Sequence, residues 1–224
     1  MKEKALKKEN ENMKNTKLLT TLGAVALVGA IGVGSTFAYL TDKTGTVKNT
    51  FTVGNVVFEE DDEVGSGLRE SDVKRNEETG NYEDNDGENN WTKTENEYKN
   101  LVAGETVYKD PTVVMDEKSE VAWVFAKIEN VNDPAFESIA WSQDWVDVTD
   151  AYKAVNADAT GDFVVYAKAE TIAPSESSTI FTSITMSKDI TGETVISDIV
   201  VKAFAIQAAG FDTYADAMTE VVFE

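Results

Sequence analysis

The 224-residue chain contains no cysteine and no histidine, and it has only three prolines. Without histidine it has neither a Ser-His-Asp triad nor a His-Glu-x-x-His zinc site. Without cysteine it has no thiol nucleophile, no thiolate metal site and no disulfide bond. Basic residues are also scarce, with 20 Lys and Arg against 41 Asp and Glu, a net charge of −21. Because phosphate backbones are bound by basic surfaces, this charge argues against a nucleic-acid partner.

The remaining composition is typical of a folded protein. Hydrophobic residues make up 42% of the chain, which contains four Trp, seven Tyr and ten Phe. Disordered chains are poorer in aromatic and β-branched residues. We therefore expect one domain with an ample core. Because His and Cys are absent, an enzyme of this composition would depend on carboxylates, Ser, Tyr, Lys or a metal held by oxygen ligands.

The N-terminus has the three parts of an export signal. Residues 1–17 carry six lysines against three glutamates, and the 23 residues of 18–40 carry no charge. Small residues follow the apolar part, and the best cleavage position lies between Ala38 and Tyr39. The alternative is a retained membrane anchor, because this run is long enough to span a bilayer. We expect cleavage of residues 1–38 and secretion, with membrane contact only through the uncleaved signal.

The chain after the signal predicts an all-β domain, an antiparallel and jelly-roll-like β-sandwich. Apolar and β-branched residues recur in short runs separated by turn residues, and these runs are 105–115, 121–129, 163–168, 178–186 and 194–207. Both faces of 121–129 are largely apolar, as in the central strand of a packed sheet. One short C-terminal helix is predicted at 212–222, with Asp212 or Thr213 as its N-cap.

An acidic segment interrupts this β pattern. Residues 59–100 are rich in Asn, Glu, Asp and Gly and contain few apolar residues. Such a composition buries little surface, so we expect a long, flexible, solvated insertion with Trp91 and Tyr98 as its main anchors. The insertion separates residues 39–58, a mature N-terminal segment with the first strand, from residues 101–224, the remainder of the domain.

Two motifs near the predicted cleavage site carry a family resemblance. They read Gly34-Ser-Thr-Phe-Ala-Tyr-Leu-Thr-Asp42 and Asn49-Thr-Phe-Thr-Val-Gly-Asn-Val56. They resemble the export signal and mature start of TasA/camelysin-type proteins, which are processed by the dedicated signal peptidase SipW. Residues 100–113 and 172–176 are similar to later turn elements of the family, with Ala103 in place of a proline. The resemblance covers about 31–58 and 100–211 and leaves the insertion out.

The resemblance implies a jelly-roll-like protein that is secreted by a Gram-positive-type cell and processed by a SipW-like peptidase. In TasA-like members the subunits assemble into extracellular matrix fibres, and the freed N-terminal segment adds as a strand to the neighbouring subunit. The corresponding assembly strand here contains Tyr39, Leu40, Asp42, Asn49, Phe51 and Val53. The alternative is that 49–58 forms an ordinary first strand of its own domain, since an edge strand can pair within or between chains.

Metal sites are weakly indicated. Camelysin-type relatives are described as metalloproteases, but a zinc hydrolase without histidine would depend on carboxylates alone. Calcium suits the clustered oxygens of Asp84, Asp86 and Glu88, although the spacing fails the full calcium-loop pattern because Tyr82 and Lys93 occupy positions that require carboxylates. We therefore expect no cofactor, with calcium as the one exception that the sequence allows.

The sequence thus predicts a non-enzymatic structural protein of the cell surface or biofilm matrix, with itself as partner in a head-to-tail fibre. The alternative is a monomeric extracellular module that binds a glycan, a host protein or calcium. Three tryptophans could form a carbohydrate platform, but aromatic residues in alternating strands are more often core. These residues are Trp123, Trp141 and Trp145.

Overall fold

Antiparallel strands are the main regular secondary structure of the chain that the computed structural model describes, which is residues 41–43, 56–60, 67–87 and 90–223. The predicted all-β class is therefore confirmed. The strands are β1 (Thr41–Lys43), β2 (Leu68–Arg69), β3 (Val73–Arg75), β4 (Tyr82–Asp84), β5 (Thr106–Tyr108), β6 (Thr112–Val114), β7 (Ala122–Glu129), β8 (Phe136–Trp141), β9 (Trp145–Asp147), β10 (Phe163–Lys168), β11 (Ser177–Thr179), β12 (Phe181–Met186) and β13 (Val200–Gln207). The helices are α1 (Thr149–Val155) and α2 (Tyr214–Ala217), and a 3₁₀ turn, Met218–Glu220, follows α2.

The largest sheet has five strands in the order β1-β13-β7-β10-β9. Strand β7 pairs along its whole length with β13, from Ala122 opposite Gln207 to Glu129 opposite Val200. On its other side it pairs with β10, which has the bounds that the sequence predicts. The central position predicted for 121–129 is thereby confirmed.

Two predicted strands are each divided in two. The run 105–115 forms β5 and β6, and the run 178–186 forms β11 and β12. Proline at position 111 lacks the N–H that a continuous ladder needs. Two hydrogen bonds nevertheless cross the break, from Lys109 N to Thr182 O at 3.3 Å and from Ile180 N to Pro111 O at 2.8 Å. These bonds connect the ladder β11-β6-β2 to the ladder β5-β12-β8.

Strand β7 buries both of its faces. Its even-numbered residues, among them Val124 and Ile128, belong to a core cluster that also includes residues of β5, β6 and β12. Its odd-numbered Trp123 and Phe125 are also buried, on the opposite face. Aromatic contacts connect α1, β10, β13 and the C-terminal segment, with ring centroids 5.6–6.2 Å apart for Tyr152–Phe163, Tyr152–Phe223 and Phe204–Phe223.

The helices agree in part with the sequence. The predicted C-terminal helix is confirmed as α2 with the following 3₁₀ turn, and Thr213 is its N-cap in a capping box with Asp216. Helix α1 was not predicted. It has only seven residues, of which Tyr152 is the buried one, so the apolar periodicity that reveals longer helices is absent.

The acidic segment 59–100 differs from its expected solvated state in the part that the structure describes. It contains β2, β3 and β4, and it buries Arg69, Glu70, Ser71 and Tyr82. The predicted anchor Tyr98 packs against the core, where its ring meets that of Tyr82 at 5.0 Å. The described part of the segment is therefore anchored to the domain, while most of its side chains stay partly or fully exposed. Its contacts are largely polar side-chain hydrogen bonds, which a composition argument does not reveal.

Gly67 allows a close backbone crossing beside the buried Phe58. A Cβ atom at position 67 would lie 2.3 Å from Phe58 Cβ and 2.9 Å from the backbone N and O of Glu59. We expect Gly67→Ala to lower the free energy of unfolding by about 1–3 kcal/mol, because the two segments must separate. Gly192→Ala is the matched control, since a Cβ there meets nothing within 4 Å. Equal urea midpoints for the two variants would contradict this steric explanation.

Candidate functional site

The N-terminal segment forms an edge strand in the largest sheet. Strand β1 pairs antiparallel with β13, with Thr41 opposite Ile206, Asp42 opposite Ala205 and Lys43 opposite Phe204. It is the last strand of the sheet order, and it is only three residues long. Of the predicted assembly residues, Asp42 lies in β1, whereas Tyr39, Leu40, Asn49, Phe51 and Val53 lie outside the described residues. The predicted cleavage site, Ala38–Tyr39, lies outside them as well.

The chain that follows β1 is part of the core from Val56 onwards. Val56 and Phe58 are each 3% exposed, and Phe58 bridges to Met115. Val57 N donates to Ser119 Oγ at 3.1 Å, and Glu59 N donates to Val114 O at 2.8 Å. The end of the predicted first strand, 49–58, therefore belongs to its own domain. We call residues 39–55 the arm.

The calcium candidates form a turn of their own. Asp84 Oδ1 accepts from the backbone N–H groups of Asp86 and Gly87 at 2.8 and 3.1 Å. Asp86 Oδ2 accepts from Asp72 N at 2.9 Å and from the Thr92 hydroxyl. Glu88 lies outside the described residues. Among the residues that the structure does describe, no group of three acidic side chains could hold a metal ion.

The tryptophan candidates are largely core residues. Trp123 and Trp145 are 8% and 4% exposed, and each indole N–H is bonded within the protein, to Phe211 O at 3.3 Å and to Ser178 Oγ at 3.0 Å. Trp141 is half-buried and stacks on Tyr166 with the ring centroids 4.1 Å apart. The interpretation of these aromatic residues as core is thus confirmed for Trp123 and Trp145.

A buried carboxylate that the sequence did not single out organises the acidic segment. Asp110 is 3% exposed. Its oxygens accept from Ser71 N at 2.9 Å, Ser71 Oγ at 2.8 Å, Trp91 Nε1 at 3.0 Å and Tyr108 Oη at 3.2 Å. These four donors offset the cost of burying the charge. No local sequence signal identifies Asp110, since its partners are up to 39 residues away.

Two ion pairs lie in the same region. Glu70 Oε2 and Lys109 Nζ are 2.5 Å apart, and both side chains are largely buried. Arg75 Nη2 lies 3.0 Å from Glu105 Oε1, and the Arg75 guanidinium covers the Tyr82 ring at 4.6 Å. Both pairs connect the acidic segment to the start of the 105–115 run. Their role is therefore structural in the first instance.

Burial changes the acidity of two phenols in this region. Burial raises the pKa of Tyr98, and the negative charges of Glu70 and Asp110 raise it further. Burial, the charge of Asp110 and the hydrogen bond to it raise the pKa of Tyr108 to about 12. Both phenols therefore remain protonated in the folded state at pH values where an unfolded chain, with a tyrosine pKa of about 10, releases its protons.

These raised pKa values predict an alkaline loss of stability. A raised folded-state pKa stabilises the protein fully below a pH of about 10, and this contribution is lost as the pH rises towards about 12. Urea unfolding at a pH of about 8, 10 and 11.5 should show a falling free energy of unfolding. The fall should be smaller in Tyr98→Phe, which cannot ionise at that position. A free energy that is flat over this range would contradict the prediction.

In the described part of the chain, no helix is long and apolar enough to cross a membrane. Comparison with known proteins gave no match to a family model, to a curated protein or to a solved structure.

Proposed function

We propose that this protein is a secreted structural component of the cell surface or biofilm matrix, which assembles head-to-tail into fibres through its arm. The proposal includes removal of residues 1–38 by a SipW-like peptidase, and it includes no catalytic activity. The observation that carries it is β1, a three-residue edge strand that directly follows the predicted cleavage site and pairs with β13.

A short edge strand is easily exchanged between copies. β1 has a ladder of three residue pairs, whereas β7 and β13 share eight. The cost of releasing β1 is therefore small, and an identical β1 from another copy can restore the same backbone hydrogen bonds. A contact that uses the arm of one copy and the β13 edge of the next is head-to-tail, and it propagates a filament when the rotation between copies does not close a ring.

The charge distribution also favours contact between the arm of one copy and the rest of the next copy. The chain after residue 38 has 38 acidic and 14 basic residues, a net charge of −24. The arm carries Asp42, Lys43 and Lys48 and is net positive. Two such chains repel each other overall, but the arm of one is attracted to the acidic remainder of the other.

The proposed architecture is an antiparallel β-sandwich of the jelly-roll type. It is supported by the core cluster, which combines residues of β7, β10 and β13 with residues of β5, β6 and β12. In such a sandwich the five-stranded sheet forms one layer and the connected ladders form the other. The edge of β13 that β1 of the same copy occupies would then accept the β1 of another copy once its own β1 is released.

Deletion of residues 39–48 tests the proposal. The chain that begins at Tyr39 should form filaments in electron micrographs, whereas the chain that begins at Asn49 should remain monomeric in size-exclusion chromatography. The matched control keeps residues 39–48 at the same composition but in scrambled order. Filaments of the deleted chain would disprove assembly through β1. A chain beginning at Tyr39 that stays monomeric would favour the alternative, a monomeric binding module.

A further inference from the structure

The interface between the acidic segment and the rest of the domain contains unsatisfied polar atoms. Three buried side-chain atoms in the described residues have no hydrogen-bond partner, and they are Glu70 Oε1, Arg75 Nε and Glu105 Oε1. Glu105 Oε1 lies 3.0 Å from Arg75 Nη2 but without hydrogen-bond geometry. All three atoms lie in the two ion pairs of this interface. Buried unsatisfied groups cost free energy, so these three atoms reduce the net stability that the two ion pairs give the contact.

The apolar part of this interface is small. Among the described residues 70–87 and 90–100, the side chains that pack against the core are Val73, Tyr82 and Tyr98. The remaining contacts are charged or polar, from Glu70 to Lys109, from Arg75 to Glu105, and from Ser71 and Trp91 to Asp110. Separation of such groups is partly compensated by water, whereas separation of packed apolar sheets is not.

We infer that residues 70–100, which we call the cover, undock as a unit along this polar interface while the sheets stay folded, and thereby uncover the outer edge of β5. Strand β5 is the last strand in the order β5-β12-β8. On the outer side, the Tyr108 carbonyl accepts from the Tyr98 phenol at 2.8 Å, so a side chain of the cover occupies a backbone acceptor that another strand could use.

The cover thus guards a sheet edge. Uncovered edge strands pair with other extended chains, and proteins commonly protect them with a loop or with charge. The cover supplies both, because residues 70–100 carry ten acidic residues against four basic ones. Local opening with a free energy below that of global unfolding is typical of units held by few apolar contacts. This inference concerns the fold and does not depend on fibre assembly.

Thiol labelling measures the opening directly, because the natural chain contains no cysteine. Ser71 is 2% exposed at the interface, with its hydroxyl bonded to Asp110. Ser178 is 7% exposed in β11, with its hydroxyl bonded to the Trp145 indole. The variants Ser71→Cys and Ser178→Cys therefore make the same substitution at different locations. Ser71 loses a donor to a carboxylate, and Ser178 loses an acceptor for a neutral indole.

Labelling with iodoacetamide, followed by mass spectrometry of the folded chain, should be at least about tenfold faster for Ser71→Cys than for Ser178→Cys. Adding Phe136→Ala, which weakens packing on β8 at the opposite edge of the sheet from β5, should accelerate labelling of Ser178→Cys and leave Ser71→Cys unchanged, because the sheets stay folded when the cover undocks. Circular dichroism checks that each variant is folded. Equal rates at both sites, or equal acceleration of both by Phe136→Ala, would show that only global unfolding exposes position 71 and would overturn the inference.

Discussion

Oxidation of the double variant Asp42→Cys/Ala205→Cys should abolish filament formation, and reduction should restore it. Asp42 and Ala205 are directly opposite each other in the β1–β13 ladder. Opposite residues of antiparallel strands have Cα atoms about 4.5–5.5 Å apart, within the range that a disulfide bridges. A bond formed within one copy holds β1 on its own sheet, so the arm cannot reach a neighbour. If the proposed function is correct, the expected effect is complete loss of assembly.

The same two cysteines also identify the acceptor edge. When reduced chains assemble first and are oxidised afterwards, the disulfide should join neighbouring subunits and give a ladder of covalent oligomers in non-reducing gels. Each single variant provides a control, because it can form at most a dimer. Filaments of normal length from the oxidised, intramolecularly bonded monomer would contradict exchange of β1. If the double variant oxidised after assembly gave only covalent dimers and no longer oligomers, the arm would lie on an edge other than β13.

The strands that could be predicted are those whose pattern is local. The run 121–129 is apolar on both faces, and this pattern indicates a central strand whatever its partners are. The structure places it between β10 and β13. Turn residues likewise separate 163–168 from the runs around it. This segment forms β10 with the predicted bounds. The N-cap Thr213 is recognisable because the capping box lies within four residues.

The features that could not be predicted depend on distant partners. Asp110 accepts from Ser71, and Lys109 pairs with Glu70, in each case 39 residues away. A single sequence contains no signal for such pairs. By composition, residues 59–100 are simply acidic. Their folded state depends on the few anchors Val73, Tyr82 and Tyr98 and on polar contacts, and composition counts polar residues as solvated.

The candidate site likewise has features that could be predicted from local sequence and features that depend on distant partners. The position of the arm follows from the signal pattern and the resemblance, both of which are local. Its pairing with β13, far later in the chain, is a tertiary fact. The calcium candidates are proposed because clustered acidic residues suggest ligands, and calcium binding there stays a prediction. In the structure, Asp84 and Asp86 accept backbone and hydroxyl hydrogen bonds within their own region.

Phe125→Ala should lower the free energy of unfolding by about 3–5 kcal/mol, a large share of the stability of a typical domain. Phe125 is fully buried at the centre of β7, on the face opposite the main core cluster. The five-stranded sheet therefore depends on apolar packing on both sides. Removal of the ring leaves a cavity that the neighbouring strands cannot close, since β10 and β13 hold β7 by backbone hydrogen bonds.

Phe136→Ala makes the same chemical change in a different environment. Phe136 is half-buried on β8, which is the last strand of its sheet order, so neighbouring side chains and water can fill the space. We expect a loss of about 1–2 kcal/mol there, because less apolar surface is removed from contact. Guanidinium unfolding followed by circular dichroism gives both values. Losses of equal size would mean that the outer face of β7 is no better packed than a sheet edge, and the helices and C-terminal segment would then not form a second apolar layer.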